Sequence, residues 1–386
     1  MKWPVKKLSE LSEVITKGTT PTSLGFSYTS SGVRFLRAQN INYGNVNFFD
    51  DDLYIDVDTH RALARSQILN GDLLVSIAGS IGRAGIVLSN NEQLNCNQAV
   101  AIVRLKKDVN KNYISHVLDS QAVKDQIRNS TVTGVISNLS LSQLGSLKIQ
   151  LPPPAEQQRI AELLDTADRV LKLRESAIAK LDQLAQSLFF QIDQTASKHY
   201  KLSDISEIVS GATPKTEIKE YWNGNVYWAT PAELGKLNDI FINQTVRRIT
   251  NKGLASCTAT LLPINSVLFS SRAPIGHIAI NSVPMATNQG FKSFVVDKQL
   301  VQPLYLYYWF KQNKLLLQSI GVGATFKELS KNLISEVKIK LPSINDQNKF
   351  VNQVNNIRDL KIKNLRAIKE IRNLIASLQH QSFTVN

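Results

Sequence analysis

Side chains that can form paired hydrogen bonds with bases occur in a loop after a short apolar run. Arg37, Gln39 and Asn40 follow the strand-like residues 33–36. Arginine can form two hydrogen bonds with guanine, and asparagine or glutamine can form two with adenine. This loop therefore predicts recognition of base edges in DNA. The alternative is that the polar side chains only cap the turn, which is a common use of Asn in loops.

Further candidates lie in other loops of both halves of the chain. A tight turn at 79–85 brings Arg83 to a surface, and Arg272 lies in the matching loop later in the sequence. Glu233 could accept a hydrogen bond from cytosine. We interpret Arg247 and Arg248 as phosphate contacts or as solvated charge. The complete set of predicted DNA contacts is Arg37, Gln39, Asn40, Ser80, Arg83, Thr133, Tyr227, Thr230, Glu233, Arg272 and Lys327.

The sequence lacks motifs for catalysis, metal binding or cofactor binding. The glycines at 79–85 suggest a phosphate loop, but no Lys followed by Ser or Thr completes it. No Asn/Asp-Pro-Pro-aromatic motif of an amino-methyltransferase and no nuclease-like carboxylate cluster is present. Cys96 and Cys257 lie far apart, and the five histidines are scattered. We therefore predict no catalytic residue, no disulfide, no metal site and no cofactor for this chain.

Length and composition predict a folded protein of two or three domains. The chain has 386 residues, of which 43% are hydrophobic and 20% charged. No apolar run approaches the roughly 20 residues that a membrane span needs. The first seven residues hold no apolar signal-peptide core, and the two isolated cysteines suggest no disulfide framework, so a reducing cytoplasm is the expected location.

The net charge of +14 favours a polyanionic partner. Residues 1–154 hold 16 Lys/Arg against 12 Asp/Glu, and residues 199–345 hold 16 against 9. Residues 155–198 are nearly neutral, with 6 against 7. The excess charge thus belongs mainly to the two large regions, which are the expected DNA-binding surfaces.

The chain is a duplicated unit with a period of about 190 residues. Matching segments recur in the same order, so chance does not explain them. Asn97-Gln98 recurs as Asn288-Gln289, which indicates shared architecture rather than distinct base recognition. The other matched pairs are 8–15 with 202–209, 18–21 with 211–214, 73–76 with 267–270, and 147–149 with 337–339.

Each copy begins with a globular region and ends with a long helix. Short β-branched runs separated by Gly, Asn, Asp and Ser, with a few helical stretches, predict a mixed α+β domain. After the prolines at 152–154 no Gly or Pro appears until Gly211, and apolar residues follow a heptad. The same change occurs after Pro342. The predicted seam consists of Ile160, Leu163, Val170, Arg174, Leu181 and Leu184 in one helix, and Ile357, Leu360, Asn364, Ile371, Leu374 and Leu378 in the other.

Two polar residues occupy the same seam position near the midpoints of the two helices. If the helices pair antiparallel about a pseudo-twofold axis, Arg174 and Asn364 approach each other and fix the register. The alternative is that both side chains extend to solvent.

The order of these elements resembles the specificity subunits of Type I restriction-modification systems, over essentially the full chain. The motif PPAEQQRI at 153–160 is similar to the opening of that family's central helix, and SNLS at 137–140 with LKIQLP at 147–152 is similar to its domain exit. The second copy departs from the motif, because LPSINDQ at 341–347 keeps one proline and replaces Glu by Asp. That difference weakens the expectation that both helix starts contact partners identically.

The resemblance implies a non-catalytic DNA-binding subunit of an endonuclease and adenine methyltransferase complex. Its partners would be double-stranded DNA, two methyltransferase subunits and restriction/translocase subunits; S-adenosylmethionine, ATP and Mg would bind to the partner subunits. The implied fold is α+β, with two similar target-recognition domains separated by two long helices in an antiparallel coiled coil. The implied boundaries are 1–154 and 199–345 for the domains, and 155–198 and 346–386 for the helices that space them and dock the methyltransferase.

Two other classes of protein stay open at this point. A stand-alone restriction or methylation enzyme with an unfamiliar motif would transfer methyl groups to DNA without any partner. A helical scaffold that does not bind DNA would give no sequence-selective footprint and no steep salt dependence of binding.

Overall fold

The computed structural model describes residues 3–42, 44–89, 92–129, 138–272, 274–322 and 328–384. The chain divides into two compact units. The first contains residues 1–174 and 365–386, and the second contains residues 175–364. Among the described residues, no helix is long and apolar enough to cross a membrane.

The first globular region contains three sheets and short helices. Its larger sheets have the strand orders β2-β11-β8-β9-β5-β4 and β6-β3-β10-β7, and β1 pairs with β12. The elements are β1 Val5–Lys7, α1 Leu8–Leu11, β2 Ser12–Lys17, β3 Val33–Leu36, β4 Ile41–Asn42, β5 Gly44–Val46, β6 Leu53–Ile55, α2 Val57–Ala62, β7 Gln67–Ile68, β8 Leu73–Ser76, β9 Ala84–Ile86, β10 Leu94–Cys96, β11 Val100–Leu105, α3 Lys111–Asp119, α4 Gln121–Asn129, α5 Leu141–Gly145 and β12 Lys148–Gln150.

Along the chain, the second globular region follows helix α6 Pro154–Asp193 and precedes helix α13 Ile344–Phe383, which have 40 residues each. Its sheets have the orders β14-β21-β18-β19-β16 and β17-β15-β20, and β13 pairs with β22. The elements are β13 Lys198–Lys201, α7 Leu202–Ile205, β14 Ser206–Ser210, β15 Trp222–Ala229, α8 Pro231–Leu234, β16 Phe241–Ile242, β17 Arg248–Ile249, α9 Asn251–Ala255, β18 Val267–Ser270, β19 Ile278–Asn281, β20 Met285–Thr287, β21 Phe291–Val296, α10 Pro303–Gln312, α11 Lys314–Ile320, α12 Lys331–Ser335 and β22 Lys338–Leu341.

The two globular regions share one fold, as the duplication in the sequence predicts. The order β2-β11-β8-β9 in the first corresponds to β14-β21-β18-β19 in the second. In the smaller sheets, β3 and β15 each have one parallel and one antiparallel neighbour. A Cβ at Gly18 would lie 2.1 Å from the Asn97 carbonyl oxygen, and one at Gly211 would lie 2.0 Å from that of Asn288. In both domains the Asn side chain of the recurring Asn-Gln pair accepts from the backbone N–H two residues later, at 3.2 Å for Asn97 and 2.9 Å for Asn288, so the Asn has a structural role.

The main hydrophobic core of each unit contains part of both long helices. In the first unit, Ile160 and Leu164 near the start of α6 share a core with Phe383 at the end of α13. In the second unit, Phe189 near the end of α6 packs against Phe350 near the start of α13, with ring centroids 5.9 Å apart. The helices are therefore antiparallel within each unit, and the predicted α+β fold with a pair of long helices is confirmed.

The inward-facing stripe differs from the predicted seam at several positions. Leu164 is 1% exposed, whereas the predicted Leu163 is 46% exposed. Ala185, Val354 and Ile375 likewise face inward, while Leu184, Leu360 and Leu374 lie on the exposed side. Where two apolar residues are adjacent, as at 163 and 164, the strict heptad predicted the residue that is exposed. The inward face of each helix is set by the domain packed against it, which the heptad does not describe. Ile160 and Ile357 are buried, and Val170, Arg174, Leu181, Asn364, Ile371 and Leu378 are partly buried.

A buried glutamine joins each domain to the start of its helix. Gln157 Oε1 accepts a hydrogen bond from the Asn110 backbone N–H at 3.1 Å, and Gln157 Nε2 donates to the Pro152 carbonyl at 2.8 Å. In the second unit, Gln347 makes the same bonds with the N–H of Gln302 and the carbonyl of Pro342, at 2.9 and 3.1 Å. The part of the PPAEQQRI motif that both copies retain thus has an internal structural role.

Candidate DNA interface

The loop after β3 is held by the side chain of Asn40. Asn40 Oδ1 accepts from the Arg37 backbone N–H at 2.8 Å, while Nδ2 donates to the Asn47 carbonyl at 3.0 Å and to Asp52 Oδ1 at 2.6 Å. Since Asn40 is fully buried and bonded in this way, its side chain is not available to a base in this structure. The capping interpretation holds for this residue. Gln39 beside it is exposed, and Arg37 is partly buried.

The corresponding loop after β15 is held by Glu233. Its Oε2 accepts from the Thr230 backbone N–H at 2.9 Å and from the Thr230 hydroxyl at 2.7 Å, which completes a capping box for α8. Its Oε1 accepts from the Val246 backbone N–H at 2.6 Å. Both carboxylate oxygens are engaged inside the domain, so a contact from Glu233 to cytosine does not fit this structure. Thr230 is likewise part of the cap.

The paired tight turns have one architecture and different side chains. Ser76 Oγ accepts from the Arg83 N–H at 3.0 Å, and Ser270 Oγ accepts from the His277 N–H at 2.8 Å. His277 is therefore the structural counterpart of Arg83. Arg83 is partly exposed and Ser80 is exposed, which keeps both accessible to DNA.

Arg272 occupies a charged cluster that is specific to the second domain. Its Nη1 lies 3.5 Å from Glu328 Oε2, and Lys292 Nζ lies 3.9 Å from Glu328 Oε1. Burial lowers the pKa of Lys292, and the charge of Arg272 lowers it further while Glu328 opposes both effects. The predicted contacts Thr133 and Lys327 lie outside the described residues.

A cross-strand cation–π pair occurs at the same register in both small sheets, with its members exchanged. In the first unit, Arg34 on β3 faces Tyr54 on β6, with the guanidinium carbon 5.3 Å from the ring centroid. In the second unit, Tyr227 on β15 faces Arg248 on β17, and this distance is 4.5 Å. The predicted contact Tyr227 therefore supports an arginine.

Arg247, beside this pair, stacks on a second aromatic side chain. Its guanidinium carbon lies 3.8 Å from the Trp222 ring centroid and 5.1 Å from that of Trp228. The sequence predicts Arg247 and Arg248 only as phosphate contacts or solvated charge, and it does not show that aromatic rings order them. No group of three or more potential metal ligands occurs among the residues that the structure describes.

Comparisons with known proteins assign this architecture to a class. A family model described as "Type I restriction modification DNA specificity domain" matches residues 1–183 and 196–373. The Type I restriction enzyme MjaIX specificity subunit of Methanocaldococcus jannaschii is 40% identical over 178 residues, which cover 46% of this chain and 41% of that relative. The putative MjaX specificity subunit from the same organism is 24% identical, over 97% of this chain and 92% of the relative.

A solved structure has the same fold over the whole chain. A chain from a study of complex assembly and conformational transition of the type I R-M system aligns with a TM-score of 0.65 and 17% identity, covering 99% of this chain and 97% of that chain. The present chain belongs to the family of Type I restriction-modification DNA specificity proteins. It is a specificity subunit, a component that is non-catalytic by itself.

Proposed function

We propose that the chain recognises a bipartite, asymmetric DNA target, with one half-site read by each globular domain. The observation that carries this proposal is the duplication of one fold with different side chains at equivalent loop and strand positions. Arg83 corresponds to His277, and the Arg34–Tyr54 pair corresponds to Tyr227–Arg248. Similar domains with unlike surfaces are suited to half-sites of unlike sequence. The positive charge of both regions supplies affinity for phosphates.

The long helices dock two methyltransferase subunits in this proposal. Each helix keeps large apolar side chains on its exposed side in addition to its buried stripe, and in this proposal a methyltransferase subunit covers them. Restriction/translocase subunits join that core. S-adenosylmethionine, ATP and Mg bind to the partner subunits, and this chain contributes recognition alone. The exposed apolar residues are Leu163, Leu173, Leu184, Phe190, Leu360, Leu365 and Leu374.

Mapping of methylated adenines across a genome tests this function. Cells that carry the intact complex should show one motif with two defined halves and an undefined spacer. Replacement of residues 1–150 by those of a relative should change one half of the motif and leave the other intact. Methylation of unrelated sequences, or a change in both halves after the replacement, would contradict one half-site per domain.

A further inference from the structure

We infer that the segment 245–248 of the second domain enters the groove of its DNA half-site and that Arg248 reads a base there. This inference rests on the proposed function and assigns a reading element to one of the two domains. Its basis is a pair of arginines that are ordered by aromatic rings, have no carboxylate partner and project from the edge of a sheet.

The charges of Arg247 and Arg248 are uncompensated. Other arginines in the structure are neutralised: Arg34, Arg104 and Arg358 lie 2.9, 2.8 and 2.9 Å from the carboxylates of Asp52, Asp72 and Asp239. Within the part of the chain that the structure describes, neither Arg247 nor Arg248 has a carboxylate oxygen within 4.0 Å. Their hydrogen-bond donors are therefore available to an acceptor outside the chain.

The aromatic rings orient the two guanidinium groups. Tyr227 supports Arg248, and its hydroxyl oxygen lies 3.5 Å from Arg248 Nη2. Trp222 supports Arg247. A stacked guanidinium keeps its donor edge free and loses less rotamer entropy on binding, which favours paired hydrogen bonds to the O6 and N7 of guanine.

The backbone that carries these arginines is also fixed. The Val246 N–H donates to Glu233 Oε1 at 2.6 Å. The Thr245 hydroxyl donates to the Arg247 carbonyl at 2.6 Å and accepts from the Trp228 N–H at 3.1 Å. Glu233 thus acts as a positioning residue for this segment, and the segment is organised before it meets DNA.

The location of the segment fits a groove. β17 is an edge strand of the sheet β17-β15-β20, and Val246 just before it is 89% exposed. Arg247 and Arg248 are neighbours in the chain and stack on different rings, as side chains on opposite faces of a strand do. The major groove, about 12 Å wide, admits a β-ribbon, and an exposed apolar side chain there can contact the methyl group of thymine.

The first domain lacks such an element at the equivalent position. Arg34 lies on the inner strand β3 and is bound to Asp52, and the segment before β6 exposes Phe48, Phe49 and the carboxylates of Asp50 and Asp51 in place of arginines. The inference therefore concerns the second half-site alone.

The test compares Arg248→Ala and Arg247→Ala with Lys252→Ala, in the complete complex with its methyltransferase partners. Lys252 is an exposed cation of the same domain that pairs with Glu220, so its removal changes the net charge equally. We expect Arg248→Ala to lose one defined base in the second half of the methylated motif, with the first half unchanged. Affinity for the cognate duplex should fall about 5- to 150-fold, which corresponds to roughly 1–3 kcal/mol.

Arg248→Lys keeps the charge without the planar fork and should relax the same base. If Arg248→Ala abolishes all methylation, this second variant decides: a relaxed motif supports the inference, and an unchanged motif overturns it. Base reading is also overturned if Arg248→Ala has the same methylated motif as Lys252→Ala and an affinity within two-fold of it. The same holds if Arg248→Ala weakens binding equally on cognate and mismatched duplexes. A wild-type complex without a bipartite motif would instead refute the proposed function itself.

Discussion

Removal of the Gln157 side chain should destabilise the contact between the first domain and the start of helix α6. Gln157 is 2% exposed and bonds two backbone groups, the Asn110 N–H at 3.1 Å and the Pro152 carbonyl at 2.8 Å. Gln157→Ala leaves the buried Pro152 carbonyl and the partly buried Asn110 N–H without this partner, and each such loss costs about 1–3 kcal/mol. We therefore expect a loss of about 2–5 kcal/mol in the free energy of unfolding of the first unit. Gln186→Ala, on the exposed side of the same helix, is the control.

Hydrogen exchange at the Asn110 amide is the sharpest measurement, because it reports this bond without requiring two-state unfolding of the whole chain. The amide should exchange markedly faster in Gln157→Ala than in the wild type, and urea unfolding should show the loss of stability. Equal exchange rates in Gln157→Ala and Gln186→Ala would refute the assigned role.

Gln157→Glu adds a pH dependence to this experiment. A carboxylate can accept from Asn110 but repels the Pro152 carbonyl, so burial and this repulsion should raise its pKa in the folded state above the unfolded value of about 4.3. The folded chain then binds more protons than the unfolded chain, and the variant loses stability relative to wild type as pH rises through the raised pKa. The deficit should be smaller at pH 5 than at pH 8, and a deficit independent of pH would contradict this sign.

Two further predictions concern burial. Leu164→Ala should lower the free energy of unfolding by about 2–5 kcal/mol, whereas Leu163→Ala should cost far less in urea titrations of the isolated chain and should weaken methyltransferase binding instead. Burial raises the pKa of Asp119 to about 6, against backbone N–H bonds from Ala84 and Gly44 that lower it. Because the folded state holds this proton more tightly, stability should fall by roughly 3 kcal/mol as pH rises from about 4 to above 6, and less steeply in Asp119→Asn.

The large-scale organisation could be predicted from the sequence because it depends on repeated patterns. The duplication, the absence of Gly and Pro between residues 154 and 211 and the apolar periodicity together predict two α+β domains and two long helices. The choice between Leu163 and Leu164 could not be made in the same way. Both residues fit a helical stripe, and only the packed domain determines which one faces inward.

The details of the interface depend on contacts that are not local in sequence. Asn40 and Glu233 have side chains that could bond to bases. However, Asn40 donates to the Asn47 carbonyl, 7 residues further along the chain, and Glu233 accepts from the Val246 N–H, 13 residues further along. The Tyr227–Arg248 pair joins residues 21 positions apart through the register of a small sheet. Residue type alone could not show which arginines are neutralised inside the fold and which keep their donors free.

The exchanged cation–π pair shows how one scaffold can give two unlike readers. Arg34 and Tyr54 in the first sheet occupy the positions that Tyr227 and Arg248 occupy in the second. Stacking therefore requires one arginine and one aromatic residue at these two positions, but either strand can supply the arginine. On the inner strand β3 the guanidinium meets Asp52 and becomes part of the domain. On the edge strand β17 it has solvent beside it and projects where a groove can receive it. Exchanging two side chains therefore changes what the surface can bind while the pairing of these two positions across the strands is retained.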